Sequence, residues 1–346
     1  MAAEPSTKAR AWAIFDRIVA DAARGGHHRN PWVKDAHGNL GFEPDYLTLK
    51  RLLGVPLYLK APTTTGVPAL ALDVWISYEL RRAGFGPDAV WPRATSPRIL
   101  PGPIVNLLNK LPNKERQALW KRLRASPPPA GVAASSANIL GKNYLKQVDV
   151  VMADWAAGPE LLISTKRMDS SFGKNAANRV EESYGDAKNL RLRHPLAALG
   201  FVYGLRYTIF DESPDKAEWL IDLLQKLGRE DDAYHAVSLI VIEYGDHLSV
   251  DDASDDQGDG EDPLAEAGIA ATDHATADVG EQLVIEDAEV DAALDNLPPV
   301  HLPWERVPPD LRPERFLAEM ATRVIDATPV TMHRHARALR AEARDR

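Results

Sequence analysis

The residues best suited to chemistry lie in one stretch, Gln147 to Glu182. Asp149 sits among Val148, Val150 and Val151. Ser164 and Lys166 stand two positions apart in LLISTKRM, and Glu181 and Glu182 follow in NRVEE. An ionised carboxylate inside an apolar strand needs a partner or a metal. Carboxylates and a lysine in one place suit a hard cation and a positioned water. Plainer readings stand beside this one. Asp149 can pair with Lys166 across a hairpin or lie at a strand's solvent edge, and the two glutamates can line a solvated helix face. A Ser164–Lys166 hydrolase dyad is disfavoured because no Gly-rich elbow or oxyanion loop accompanies it. His27-His28, His235 and His247 lack metal-ligand spacing. No GxGxxG or Walker-type phosphate loop occurs.

The elements that must position these residues follow from periodicity. Val148 to Met152 and Leu161 to Met168 are rich in strand formers, and AAGP at 156–159 is a hairpin turn. With the turn centred between Ala157 and Gly158, paired residues have numbers that sum to 315. Asp149 then falls opposite Lys166, Ser164 shares the face of Lys166, and Asp154 lies near the turn. Asp169, Ser170 and Ser171 offer N-caps for a helix running to about Leu192. Leu196 to Ile209 reads as a second, buried helix, Lys216 to Leu227 as an amphipathic helix, and Ala236 to Tyr244 as a buried strand.

Upstream, the spacing predicts helices over 6–24, 46–53, 70–83, 104–110 and 113–124, with a short strand at Leu57 to Lys60. Downstream, Gln282 to Ile285 reads as an edge strand, and a proline-rich run leads to helices at 313–326 and 329–344. The chain thus divides into a helical region (1–130), a core (138–245), an acidic mobile insert (246–291) and a C-terminal segment (292–346).

With 346 residues, 45% of them hydrophobic, the chain can bury a sizeable core. It has no cysteine, which excludes disulfides and thiolate metal sites and fits a reducing cytoplasm. The N-terminus lacks a signal peptide's apolar core, and no apolar run reaches the length of a membrane span. The net charge of −9 conceals an asymmetry. Residues 246–291 hold 16 acids and no Lys or Arg, so the rest carries 41 bases against 34 acids, a balance of +7.

Asp149, then fourteen residues, then Ser164-Thr165-Lys166, with a polar helix after the hairpin, resembles the PD-(D/E)xK nuclease superfamily, and type II restriction endonucleases in particular. The resemblance covers roughly 140–245. It implies an α/β (α+β) fold with a restriction-endonuclease-like central mixed β-sheet flanked by helices, and Mg²⁺-dependent hydrolysis of double-stranded DNA. Val148 stands where the family has proline, and Ser164 where it has a second acid. Some restriction enzymes with S-x-K take the lost acid from the following helix, which here offers Glu182, with Glu181 second.

On this reading Asp149, Glu182 and the Thr165 carbonyl hold Mg²⁺, Lys166 orients the attacking water, and Ser164 supports them. Lys174, Asn178 and Arg179 on that helix would meet DNA. So would Arg93 and Arg98, in a stretch (93–124) with eight bases and one acid. A homodimer would address both strands, and a DNA methyltransferase of the same system would be its functional partner. Two alternatives remain open: a catalytically inactive DNA-binding module that keeps the fold, and a nuclease subunit of another defence or repair system. The acidic insert is either a solvated linker or a DNA mimic that screens a basic cleft.

Overall fold

Runs of consecutive buried, mostly apolar residues build the central sheet. A computed structural model describes residues 5–345 except 24, 26, 36, 125–128, 130–131, 135, 171, 173–175 and 249–284, with the side chains of 176–179 also undescribed. The N-terminal region comprises α1 (Thr7–Ala22), a hairpin of β1 (Trp32–Lys34) and β2 (Leu40–Phe42), α2 (Tyr46–Tyr58) and α3 (Val67–Arg82). Next come β3 (Val90–Trp91), α4 (Gly102–Lys110), α5 (Asn113–Leu123) and a second hairpin, β4 (Ala137–Leu140) and β5 (Leu145–Val148). The centre is β6 (Val150–Asp154), β7 (Gly158–Met168), α6 (Ala176–Arg191), β8 (Ala198–Arg206), α7 (Ile209–Glu212), α8 (Pro214–Leu227) and β9 (Ala236–Ile242). The chain closes with α9 (Asp287–Asp295), α10 (Pro313–Ala327) and α11 (Arg334–Asp345).

The strand order is β3-β6-β7-β8-β9. β3, β6 and β7 pair antiparallel, whereas β7, β8 and β9 run parallel. Helices cover both faces, as a sheet with parallel strands requires. On one face Val150, Met152, Leu161, Ile163 and Val202 share a core with α1, α2, α3 and α10. On the other, Val151, Leu162, Phe201, Tyr203 and Leu239 pack against α6 and α8. A small third cluster, Leu100, Val105, Leu108, Leu123 and Ala133, lies under α4 and α5.

Of the 16 residues of α3, 14 are buried, so it is the central helix of its layer. Gly200 admits α10 to the sheet: a Cβ there would lie 2.7 Å from the Phe316 ring. Gly158, at φ +73°, closes the β6–β7 hairpin in a conformation that suits glycine.

Three sequence expectations are corrected here. Leu196 to Ile209 is no helix; its centre is β8, whose nine residues are all buried. A continuous apolar run satisfies a buried parallel strand as well as a buried helix. Leu57 to Lys60 is no strand either, because α2 continues through Pro56 to Tyr58. The acidic insert is shorter than 246–291 at its far end. Asp287–Asp295 is α9, which buries Val290 and Ala293. It is fixed to α1 by Arg10–Glu289 (2.8 Å) and Arg17–Asp291 (3.0 Å). Residues 282–284 of the expected edge strand lie outside the described residues. Among the described residues no helix is long and apolar enough to cross a membrane.

Candidate functional site

The hairpin register decides what Asp149 meets. Val150 pairs with Ile163, Val151 with Leu162 and Met152 with Leu161, and the register shifts between Met152 and Ala153. The turn is centred on Ala156, since Asp154 pairs with Gly158, and the bulge, which leaves Glu160 without a partner in β6, takes back one residue, so the pairs beyond it sum to 313 where the turn-centred expectation gives 315. Asp149 is therefore not opposite Lys166. It occupies the bend between β5 and β6, beside Ser164 and Thr165. Val148 and Val150, two positions apart, belong to opposite cores. The chain turns over at Asp149, which frees its carboxylate to reach the edge of β7. There Asp149 Oδ2 accepts the Thr165 N–H at 2.7 Å.

Thr165 points the other way into the α3 layer, where its hydroxyl donates to Asp73 Oδ1 at 2.5 Å. Asp73 is buried on α3 between Leu72 and Val74. Burial, and then the negative charge of Asp149, raise its carboxyl well above the usual carboxylate range, while the Thr165 hydroxyl, Lys8 and Lys166 act against the rise. A cation beside the two carboxylates would oppose both effects. Their donors are oxygen only, which suits a hard ion such as Mg²⁺, commonly held by one or two carboxylates plus water. Among the described residues no group of three or more His, Cys, Asp or Glu that could hold a metal ion arises.

Ser164 and Lys166 project from β7 on the face opposite Thr165. Ser164 is buried and hydrogen-bonds the Tyr234 hydroxyl, which donates to the Ser183 carbonyl of α6 at 2.9 Å. Burial, with Asp186 next, raises the Tyr234 phenol above its ordinary value and keeps it neutral. Lys166 is half-buried, and its charge reaches Asp73.

The helix acids are arranged differently from the expectation. Val180, Ser183, Ala187 and Leu190 form the inward stripe of α6, so Glu181 and Glu182 point to water. The acid of α6 that faces the sheet layer is Asp186. It pairs with Lys146 of β5 at 3.1 Å and accepts the Tyr144 hydroxyl at 3.0 Å.

Arg93 and Arg98 are structural in this fold. Arg93 is buried, bound to Asp88 (2.6 and 2.9 Å) and to the Pro97 carbonyl (2.9 Å). Arg98 grips both oxygens of Asp16 at 2.8 Å and lies 3.7 Å over the Trp12 ring. Neither presents its guanidinium to a groove. Lys174 lies outside the described residues, as do the side chains of Asn178 and Arg179 in the first turn of α6.

Asp73, Asp186 and Tyr234 were not among the sequence candidates. Asp73 left one signal, a carboxylate in the apolar helix LALDVWISYEL, which it shares with Glu79. Asp186 left another, since it flanks the stripe that Val180, Ala187 and Leu190 define. Tyr234 left none. Compared with known proteins, the chain matches no family model, no curated protein and no solved structure.

Proposed function

We propose that the chain is a Mg²⁺-dependent endonuclease that hydrolyses phosphodiesters in double-stranded DNA, with a restriction-endonuclease-like core of the PD-(D/E)xK kind. One observation carries this reading. Asp73 and Asp149, from distant elements, converge on Thr165, and Lys166 is the next residue. Strand β7 pairs antiparallel with the strand after Asp149 and parallel with the strand after the following helix. This order agrees with the resemblance.

Asp73 and Asp149 would hold Mg²⁺, with the Thr165 carbonyl as a third oxygen. A strand residue's N–H and C=O face the same edge, and the Thr165 N–H already faces Asp149. When bound, Mg²⁺ acidifies an attacking water and stabilises charge on the phosphate. Lys166 orients that water and neutralises charge developing on the phosphate. Ser164 and Tyr234 fix this segment of β7 to α6 through their hydrogen bonds. A homodimer would present two such sites to the two strands, and a methyltransferase of the same system would protect host DNA.

A second reading is a non-catalytic DNA-binding module on the same fold. It is favoured by Ser164, which is buried and bonded where the resemblance expects an acid, and by the two-carboxylate donor set. Plasmid DNA incubated with Mg²⁺ and with the wild type, Asp149→Ala or Lys166→Ala separates these readings. Discrete fragments from the wild type, lost in both variants, are expected. Binding without cleavage at any Mg²⁺ concentration establishes the module. Smearing without discrete products points to a nuclease lacking its own sequence specificity, as in a defence or repair complex. Cleavage retained by Lys166→Ala overturns the site.

A further inference from the structure

We infer that the outer face of the α4–α5 helical pair binds duplex DNA, contacting phosphates through Lys114, Lys121 and Arg122 on α5. The inference rests on the DNA-directed reading above and gives that reading a binding surface, which Arg93 and Arg98 do not supply. Helices α4 and α5 are joined by only two residues, Leu111 and Pro112. They stand on their own apolar cluster, Val105 and Leu108 from α4 and Leu123 from α5.

On α5 the inward stripe is Arg116, Leu119, Trp120 and Leu123. The opposite face carries Lys114, Gln117, Ala118 and Lys121 at helical spacing, with Arg122 beside them, and all five are exposed. From Gly102 to Arg124 there are six Lys or Arg and one acid, Glu115, in a chain whose net charge is −9. Among the described residues no carboxylate pairs with Lys114, Lys121 or Arg122.

The exposed surface here also carries amides, Asn106 and Asn109 on α4 and Asn113 and Gln117 on α5, beside the exposed Leu107. Cations position a protein on phosphates, and amide side chains read base edges in the major groove. A helix face combining the two, with a small residue at its centre, is complementary to a duplex.

The pair is also held firmly. The Arg93 guanidinium lies 5.4 Å from the Trp120 ring, and Arg124 donates to the Ser96 carbonyl at 3.1 Å. Arg98 ties the same loop to α1, and Arg81 of α3 donates to the Pro92 carbonyl at 3.0 Å. The two expected DNA-contacting arginines thus anchor the surface that would make the contact. α3, which carries Asp73, is joined to the same loop.

The test is fluorescence anisotropy of the full chain with a labelled duplex oligonucleotide in EDTA, so that binding is read without cleavage. The triple variant Lys114→Ala, Lys121→Ala, Arg122→Ala should bind at least ~10-fold more weakly at moderate salt. Its slope of log affinity against log salt should be shallower by about 0.9 for each phosphate contact removed. Lys114→Arg with Lys121→Arg should bind as the wild type does. Because the altered side chains are exposed, unchanged thermal unfolding controls for folding. Binding by the triple variant within about twofold of the wild type overturns the inference. So does absence of duplex binding by the wild type, or competition by polyglutamate as effective as by unlabelled duplex. Cleavage is measured separately in Mg²⁺. Cleavage that persists with unaltered binding in the triple variant rejects this surface and leaves the nuclease reading intact. Weakened binding in the triple variant supports the surface even if no DNA is ever cut.

Discussion

Asp73 and Thr165 are 92 positions apart in sequence, yet the Thr165 hydroxyl donates to Asp73 Oδ1 at 2.5 Å. The same residue's amide holds Asp149 at 2.7 Å. One strand residue therefore fixes an acid from α3 and an acid from the β5–β6 bend in a single arrangement. The hydroxyl belongs to the α3 layer and the amide to the side of β7 that faces Asp149, so the two contacts are chemically separable.

Replacing that hydroxyl tests the first contact alone. Thr165→Val keeps the shape and the amide but leaves the buried Asp73 without its donor. Stability should fall by about 1–3 kcal/mol, the usual effect of orphaning a buried polar group. Thr165→Ser should restore most of it. Urea unfolding monitored by tryptophan fluorescence measures both. A valine variant as stable as the wild type would show that Asp73 draws nothing from Thr165.

The carboxyl of Asp73 makes the metal-free protein sensitive to pH. Its value in the fold is raised above the ordinary 3.8 by burial and by Asp149. A raised value means that the folded chain holds the proton more tightly than the unfolded one. The contribution to stability is then full below about 3.8 and is lost as pH rises. In EDTA, the stability of the wild type relative to Asp73→Asn should fall as pH rises from about 4. At neutral pH, Mg²⁺ should raise the wild-type melting temperature and leave that of Asp73→Asn unmoved. Equal Mg²⁺ stabilisation of both proteins would remove Asp73 from the donor set.

Much of the scaffold was legible because its physics is local. The strands of the hairpin, Gly158 at its turn and the stripe on α8 are read from spacing alone. The register was not, because the turn is centred on Ala156 and not between Ala157 and Gly158, and the bulge at Glu160 then adds one residue; no pattern of apolar and polar positions reveals either. β8 was mistaken for a helix because a strand buried on both faces has no alternation to read. At the site, Asp149, Ser164, Thr165 and Lys166 do adjoin one another, through contacts that differ from the expected pairing. Asp73 was missed because its partnership exists only after α3 packs on the sheet. The distance along the chain from Lys166 points to Glu182, with Glu181 second, and says nothing of Asp186, whose partners Lys146 and Tyr144 lie some forty residues upstream. The apolar stripe of α6 already turned Glu182 outward.

The approach of α10 to the sheet depends on one absent side chain. Gly200→Ala would put a Cβ 2.7 Å from the Phe316 ring and 2.9 Å from the Met320 sulfur. Overpacking of this kind typically costs about 1–3 kcal/mol. Phe316→Leu should relieve part of that penalty in the double variant even though it is destabilising alone. A thermodynamic cycle over the four proteins measures the coupling. Additive effects would mean that α10 moves away without cost.

His235 gives the fold an acid-sensitive point away from the candidate site. Its Nδ1 accepts the Leu199 N–H at 2.9 Å, at the second residue of β8. Burial, then the charges of Arg323 and Arg191, push the imidazole from its ordinary 6.5 down to about 4. Here the folded chain binds the proton less readily than the unfolded one. The contribution is full above about 6.5 and is lost as pH falls through about 4. Protonation also sets an N–H against the Leu199 N–H, so the acceptor that orders the start of β8 disappears. Carboxylates elsewhere titrate in the lower part of this window, so the comparison with a variant carries the test. His235→Asn places a carbonyl oxygen close to the position of Nδ1 and accepts the same N–H without titrating. Unfolding free energies measured from pH 7 to pH 4 should fall more steeply for the wild type than for His235→Asn, with the two curves converging towards neutral pH. Parallel curves across the whole range would show that His235 is not the group responsible.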